Sequence, residues 1–269
     1  MSDEVLVAGA GRVGRALATA LETAGVPVAR WSRTAAPSPG ARGVVIVAVT
    51  DKAIGEVAAW LVDEGFADAR SVLLHCAGAL PAEEVFAPLR DRVGGVGLLH
   101  PLCALAGAPD DAALAGTVFA VEGDAPGRAA ALDLARRLGG RPYVLDGAGL
   151  GRYHAAAALA GNHTLGLVGA AIDLLVVEGL DRAAASTALG GLLASAARNL
   201  VERGLPDALT GPIARGDTSV VARHLAALPP EARALYRATA RPTVAVARAA
   251  GRASEEALAS IEALLDEEN

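Results

Sequence analysis

Residues 4–34 read EVLVAGAGRVGRALATALETAGVPVARWSRT, and the spacing of the glycines decides how this stretch folds. Val5-Leu6-Val7-Ala8 is a strand-like run. Gly9, Gly11 and Gly14 follow it as G-x-G-x-x-G, and Val13, Leu17, Ala20, Leu21 and Ala24 then recur at helical intervals before Gly25, the expected C-cap. Glycine-rich turns are common, but a turn that leaves a strand and opens a helix is specific. In such a unit Gly9 makes the sharp exit from the strand, Gly11 clears the approach of a phosphate to backbone amides, and Gly14 lets the helix pack on the strand.

The amides of that turn lie at a helix N-terminus, where unpaired N–H groups and the macrodipole bind an anion without a lysine. The expected ligand is therefore a dinucleotide, touched by Gly9, Gly11, Arg12, Val13 and Gly14. A ribose-binding Asp or Glu usually follows about 20 residues later. Here that place holds Ser32, followed by Arg33 and Thr34, with Arg30 nearby. Guanidinium groups bind phosphate with bidentate, charge-assisted bonds, so the segment favours NADP(H) over NAD.

A chain of 269 residues allows a nucleotide unit and a second domain, and 53% hydrophobic content supplies core for both. A net charge of -6 argues against a nucleic-acid partner. Cys76 and Cys103 make neither a disulfide framework nor a metal site, and the strand at the N-terminus leaves no room for a signal peptide, so a cytoplasmic location and no metal are expected. Lysine occurs once, at Lys52.

Strand-like runs recur at 5–8, 26–31, 44–49, 72–76, 95–99, 118–122 and 143–145, with helical segments between several of them, which predicts a mainly parallel sheet. From about Gly149 the pattern turns helical, giving a dinucleotide-binding domain over 1–148 and a helical substrate and dimerisation domain over 149–269. The first of these helices, 151–178, is apolar enough in length to suggest a membrane span. Asn162, His163, Thr164 and Asp173 interrupt it, so burial on most sides, completed by a second subunit, is the preferred reading over a membrane. Further helices are expected at 182–203, 218–228, 231–251 and 254–266, with Ser254 as the cap of the last and Asp217 as a cap before Thr218.

Ligands of open parallel sheets bind beyond the carboxyl ends of the strands. There lie Val49, Thr50 and Ile54, expected beside the nicotinamide ribose; His75, with Ala77 and Gly78; and His100 before Pro101. An imidazole at such a place, with its ordinary pKa near neutrality, could donate a proton to a carbonyl oxygen or an imine nitrogen. On the long helix His154 lies near the start, and Asn162 lies eight residues on, about 12 Å along the axis and some 80° around it. The stretch Leu209-Thr210-Gly211-Pro212-Ile213-Ala214-Arg215 offers Thr210 and a guanidinium at Arg215 that suits a substrate carboxylate.

The motifs GAGRVGRALA, SRT, AVTDKAI, HCAGAL, GLLHPL, YHAAAALAGN and LTGPIARGD together resemble a bacterial family that pairs a Rossmann-like half with a helical C-terminal domain of unknown function. That family is similar to the 6-phosphogluconate-dehydrogenase-like superfamily, which includes pyrroline-5-carboxylate and ketopantoate reductases. The resemblance implies an α/β fold, a Rossmann-type mainly parallel sheet followed by an all-helical C-terminal domain, and a homodimer formed through the helices. It also implies NADPH-dependent reduction of a small carboxylate-bearing carbonyl compound, such as the 2-oxo acid ketopantoate. An imine reductase of pyrroline-carboxylate type is the alternative, as is a non-catalytic NADP-binding sensor. Many superfamily members carry a Lys four residues before an Asn on this helix. Asn162 matches the Asn, but Ala158 stands in the Lys place, so proton donation would fall to His100 or His154.

Overall fold

The computed structural model describes residues 4–105 and 114–267. Its first half alternates strands and helices: β1 (Val5–Ala8), α1 (Arg12–Thr23), β2 (Val28–Trp31), β3 (Val44–Val47), α2 (Ile54–Asp63), β4 (Val72–His75), α3 (Ala82–Val85), β5 (Gly95–Pro101), β6 (Val118–Gly123), α4 (Ala125–Arg137) and β7 (Arg141–Val144). These strands form one seven-stranded sheet in the order β2-β1-β3-β4-β5-β6-β7. Every pairing is parallel except that of β5 with β6, where His100 faces Ala120 in an antiparallel register.

The strands read as continuous apolar runs because both faces of the sheet are covered. Along β1, Val5 and Val7 join Leu17 and Leu21 of α1 and Leu134 of α4 in one buried cluster, while Leu6 and Ala8 join Leu61 of α2 and Phe86 in the other. The period-two alternation thus divides four consecutive hydrophobic residues between two cores. Asp124 caps α4 by accepting from Gly127 N at 2.7 Å, and it also accepts from Val96 N at 3.1 Å, which ties the helix to β5. Gly25 (φ 76°) sits one residue beyond the Ala24 cap of α1 and takes the left-handed turn that ends it.

After β7 the chain is helical: α5 (Leu150–Ala158), a π turn (Leu159–His163), α6 (Thr164–Val177), α7 (Arg182–Arg203), α8 (Thr218–Ala227), α9 (Pro230–Ala250) and α10 (Glu255–Asp266). The change of pattern read at 148/149 marks the end of the strands. The compact units themselves divide later, as Met1–His163 and Thr164–Asn269.

In the second unit α8, α9 and α10 share a core of Val221, Leu225, Val244, Leu258, Ile261 and Leu265. Asp217 caps α8 through Val220 N (3.2 Å), and Ser254 caps α10 through Ala257 N (3.2 Å), as their sequence positions predict. Helices α6 and α7 pack on each other but bury little else. Leu165 and Leu192 are 66% exposed, Val177 82% and Val201 86%. The expected burial of the long apolar helix is therefore not provided by the single chain. The run Gly147–Val177 is long and apolar enough to cross a membrane by length and composition, and its apolar 18-residue window, of mean hydropathy 1.4, has no buried residue.

Candidate active site

Beyond the carboxyl ends of β1, β2 and β3 lies a cavity of about 650 Å³. Its floor is the glycine turn. Gly9 adopts φ 135°, and a Cβ there would run into the carbonyl oxygen of Ala48 at the end of β3. A Cβ at Gly11 would meet nothing within 4 Å, so Gly11 leaves open space beside the start of α1. Gly11 is the N-cap of that helix and no side chain caps it, which leaves the first-turn amides available to a ligand. This arrangement fits a dinucleotide pyrophosphate.

Arg12, Val13, Ser32, Arg33, Thr34, Val49 and Thr50 line the same cavity, as expected. Asp51 and Cys76, from the expected stretches after β3 and β4, line it too, and so does Trp31, whose sequence position carried no signal. Trp31 is the last residue of β2, and its ring leans on Trp60 at 5.2 Å. Burial pushes the Cys76 thiol up to about 12, so it is a neutral wall. Gly14 is buried against the carbonyl of Gly9 and serves the packing of α1.

Two arginines of the segment divide their tasks. Arg30 is committed to α1, with Nη2 2.6 Å from Glu22 Oε2 and 3.3 Å from Thr19 Oγ1. Arg33 and Arg12 have no ion-pair partner among the described residues. The Ser32 and Thr34 hydroxyls lie 3.3 Å apart beside Arg33.

Two expected cofactor contacts are corrected. Ile54 is fully buried at the start of α2, where its apolar side chain completes the core with Leu61 and Phe86. His75 is also fully buried and packs edge-on against Phe86. Its Nδ1 accepts from Ala77 N at 3.1 Å, which anchors the start of the loop holding Gly78. The far end of that loop is held by Glu122 of β6, whose Oε2 accepts from Ala82 N at 2.9 Å. Burial raises the Glu122 carboxyl above its ordinary value, and the bond to Ala82 opposes this.

Between these anchors Gly78 faces two imidazoles. A Cβ at Gly78 would lie 2.9 Å from Cδ2 and Nε2 of His100 and 2.9 Å from Cδ2 of His154. The His100 and His154 rings stand 5.9 Å apart. His100 Nδ1 is 2.8 Å from the hydroxyl of Tyr153, with the two rings nearly perpendicular. Burial first, and His154 second, lower His100 to about 4 against an upward pull from Asp51. The expectation of an ordinary, near-neutral imidazole is thus corrected: burial removes the water that would stabilise the cation. The Tyr153 phenol is pushed up to about 12 by burial. Sequence reasoning gave Tyr153 no role; it is the hydrogen-bond partner of His100.

Ala77 is buried on the same loop. Asn162 is exposed within the π turn. That turn inserts a residue relative to an ideal helix, which shifts the face on which Asn162 falls by about 100° from the regular spacing. Thr210 and Arg215 are exposed in the second unit, Arg215 closing a short turn before Asp217. Among the described residues no cluster of His, Cys, Asp and Glu is suited to a metal.

Residues 117–243 match the family model described as Domain of unknown function (DUF2520). The chain thus has a Rossmann-like fold, and a segment of it matches DUF2520. The match takes in β6, α4 and β7 as well as most of the helices, so the DUF2520 region includes the edge of the sheet. No curated protein matches the chain in sequence.

Among solved structures it is similar to protein TM1727 from Thermotoga maritima, with 22% identity, TM-score 0.70, and coverage of 93% of this chain and 100% of that one. A provisionally named NADP oxidoreductase, BF3122 from Bacteroides fragilis, has 22% identity, TM-score 0.68, and coverage of 90% and 97%. Plasmodium falciparum pyrroline carboxylate reductase, solved with NADP bound, has 13% identity, TM-score 0.58, and coverage of 96% and 98%. At these identities the similarity establishes the shared fold.

Proposed function

We propose that the chain is an NADPH-dependent oxidoreductase that reduces a small carboxylate-bearing carbonyl compound, such as a 2-oxo acid. The observation that carries this reading is that the loops after β3 and β4 contribute both to the dinucleotide cavity and to the surroundings of His100. Cys76 and Asp51 line the cavity, Gly78 two residues beyond Cys76 lies so close to the His100 ring that a side chain there would collide with it, and Asp51 acts electrostatically on His100. Similarity to proteins titled NADP oxidoreductase and pyrroline carboxylate reductase supports the same class. The cofactor would supply hydride to the carbonyl carbon. The protein would hold its pyrophosphate on the Gly9–Gly11 turn and its 2'-phosphate on Ser32, Arg33 and Thr34. His100, with His154 and Asn162, is assigned to the carbonyl.

Calorimetric titration tests the cofactor and oxidation of NADPH tests the substrate. NADPH should bind in strong preference to NADH. Arg33→Ala should weaken NADPH by about 10- to 100-fold, the loss of one charge-assisted phosphate contact, and leave NADH unchanged. A panel of small 2-oxo acids should then consume NADPH. Binding without turnover on any substrate would favour a sensor over an enzyme.

A second reading, reduction of a cyclic imine, has support in Asp51. Its carboxylate lines the cavity near His100 and would favour a cationic iminium over a neutral carbonyl. Cyclic imines in the same panel separate the two.

The apolar surface of α6 and α7 is assigned to a second copy of this chain. A membrane is the less suitable partner, because Asp173 and Arg182 pair at 2.5 Å between these helices and Arg198, Glu202 and Arg203 crowd the end of α7. Sedimentation should find a dimer, and Leu192→Arg with Val201→Glu should shift it to monomer. A monomeric wild-type chain at micromolar concentration would contradict the assignment.

A further inference from the structure

We propose that Tyr153 is a positioning residue that holds His100 as its Nε2–H tautomer, turns that N–H toward the bare backbone at Gly78, and supplies the proton that His100 hands to the substrate. This rests on the reading of the His100 group as the carbonyl site and adds the source and route of its proton.

The geometry fixes the direction of the relay. Tyr153 Oη lies on Nδ1 at 2.8 Å, so the other ring nitrogen is the free one. That nitrogen and Cδ2 form the edge turned to Gly78, and Cδ2 of His154 converges on the same point. The two imidazoles can come this close to the loop only because residue 78 has no side chain. A phenol is a stronger acid than an imidazole N–H, and an imidazole nitrogen is a stronger base than a phenol oxygen. The shared bond is therefore O–H···Nδ1, which leaves the imidazole proton on Nε2.

The surroundings keep both groups in these states. From α5, His154 opposes a charge on His100, and from the turn after β3, Asp51 favours one. At the end of β4, His75 is itself held neutral, lowered to about 4. Cys103, which acts electrostatically on Tyr153, has its thiol raised by burial and stays protonated. With His100 lowered to about 4 and Tyr153 raised to about 12, the pair carries no charge across neutral pH.

The proton balance closes within the pair and water. As negative charge develops on the substrate oxygen, that oxygen takes the Nε2 proton and the N–H bonding pair stays on the ring. Nδ1 takes the Tyr153 proton as the O–H bond breaks. Hydronium from solvent then protonates Nε2 while Nδ1 returns its proton to the tyrosinate. The ring is neutral before and after, and the net donor is a phenol near 12, a stronger acid than water at about 15.7. An imine nitrogen would be served by the same route.

Two measurements test this. The first needs no turnover: 15N NMR of His100 at pH 7 should show a protonated Nε2 and a bare Nδ1 in the wild-type protein, with Nδ1–H forms entering in Tyr153→Phe. The second is the pH profile of kcat. The wild type should be flat from about pH 6 to pH 9. In Tyr153→Phe the imidazole can donate only when protonated, so turnover should fall about tenfold per pH unit above the His100 pKa and be down about 100-fold or more at pH 7, with NADPH affinity unchanged. An imidazolium or an Nδ1–H tautomer in the wild type, or a Tyr153→Phe profile that stays flat at full rate, would overturn the proposal. A wild-type Nε2–H tautomer together with no turnover across the panel would support the arrangement of the pair and count against the reductase reading alone.

Discussion

Gly9→Ala is expected to abolish NADPH binding and to lower the stability of the nucleotide unit by about 2–6 kcal/mol. Two costs combine. The backbone at Gly9 has φ 135°, a region that costs an L-residue about 1–3 kcal/mol. The added Cβ also runs into the Ala48 carbonyl, and such overpacking costs about 1–3 kcal/mol more. Relief would require β1 and β3 to separate, yet they pair over their whole length, from Val5 with Val44 to Ala8 with Val47. Gly11→Ala is the matched control. Its Cβ meets no atom of the protein, so the fold should keep its stability while the methyl group intrudes where the pyrophosphate would lie. Denaturant unfolding and calorimetric titration of the two variants give the contrast. Equal stability of Gly9→Ala and wild type would refute the account of the turn.

Gly78→Ala should separate binding from turnover in the opposite sense. Gly78 does not line the dinucleotide cavity, so NADPH affinity should stay within about twofold. The new Cβ would sit 2.9 Å from the His100 ring. The loop cannot retreat, because His75 holds Ala77 and Glu122 holds Ala82. The ring itself must give way, and a displacement near 1 Å at a reacting group costs on the order of 100-fold in kcat. Steady-state kinetics beside the same titration decide it, and unchanged kcat would remove His100 from the site.

What the sequence disclosed is what depends on neighbours along the chain. The glycine turn, the starts of five of the seven strands, the caps Asp217 and Ser254 and the whole of α7 follow from local spacing. Arg30 was misread for the opposite reason. Its position beside Ser32 suits a phosphate, but the chain folds it back on Glu22 of α1. His75 and Ile54 sit at strand and helix ends, where period alone does not say whether a side chain faces the cleft or the core. Tyr153 was invisible because its partner His100 is 53 residues away, joined to it only by the packing of α5 on β5 and β6 through Leu98, Ala120 and Leu150.

The placement of Trp31 has an optical consequence. The chain holds two tryptophans, and they are the neighbours Trp31 and Trp60. Indole emission overlaps the absorption of a reduced nicotinamide, and Trp31 forms part of the cavity wall. A reduced nicotinamide held in that cavity would therefore take up part of the protein's own ultraviolet emission and return it as nicotinamide fluorescence, with no added label.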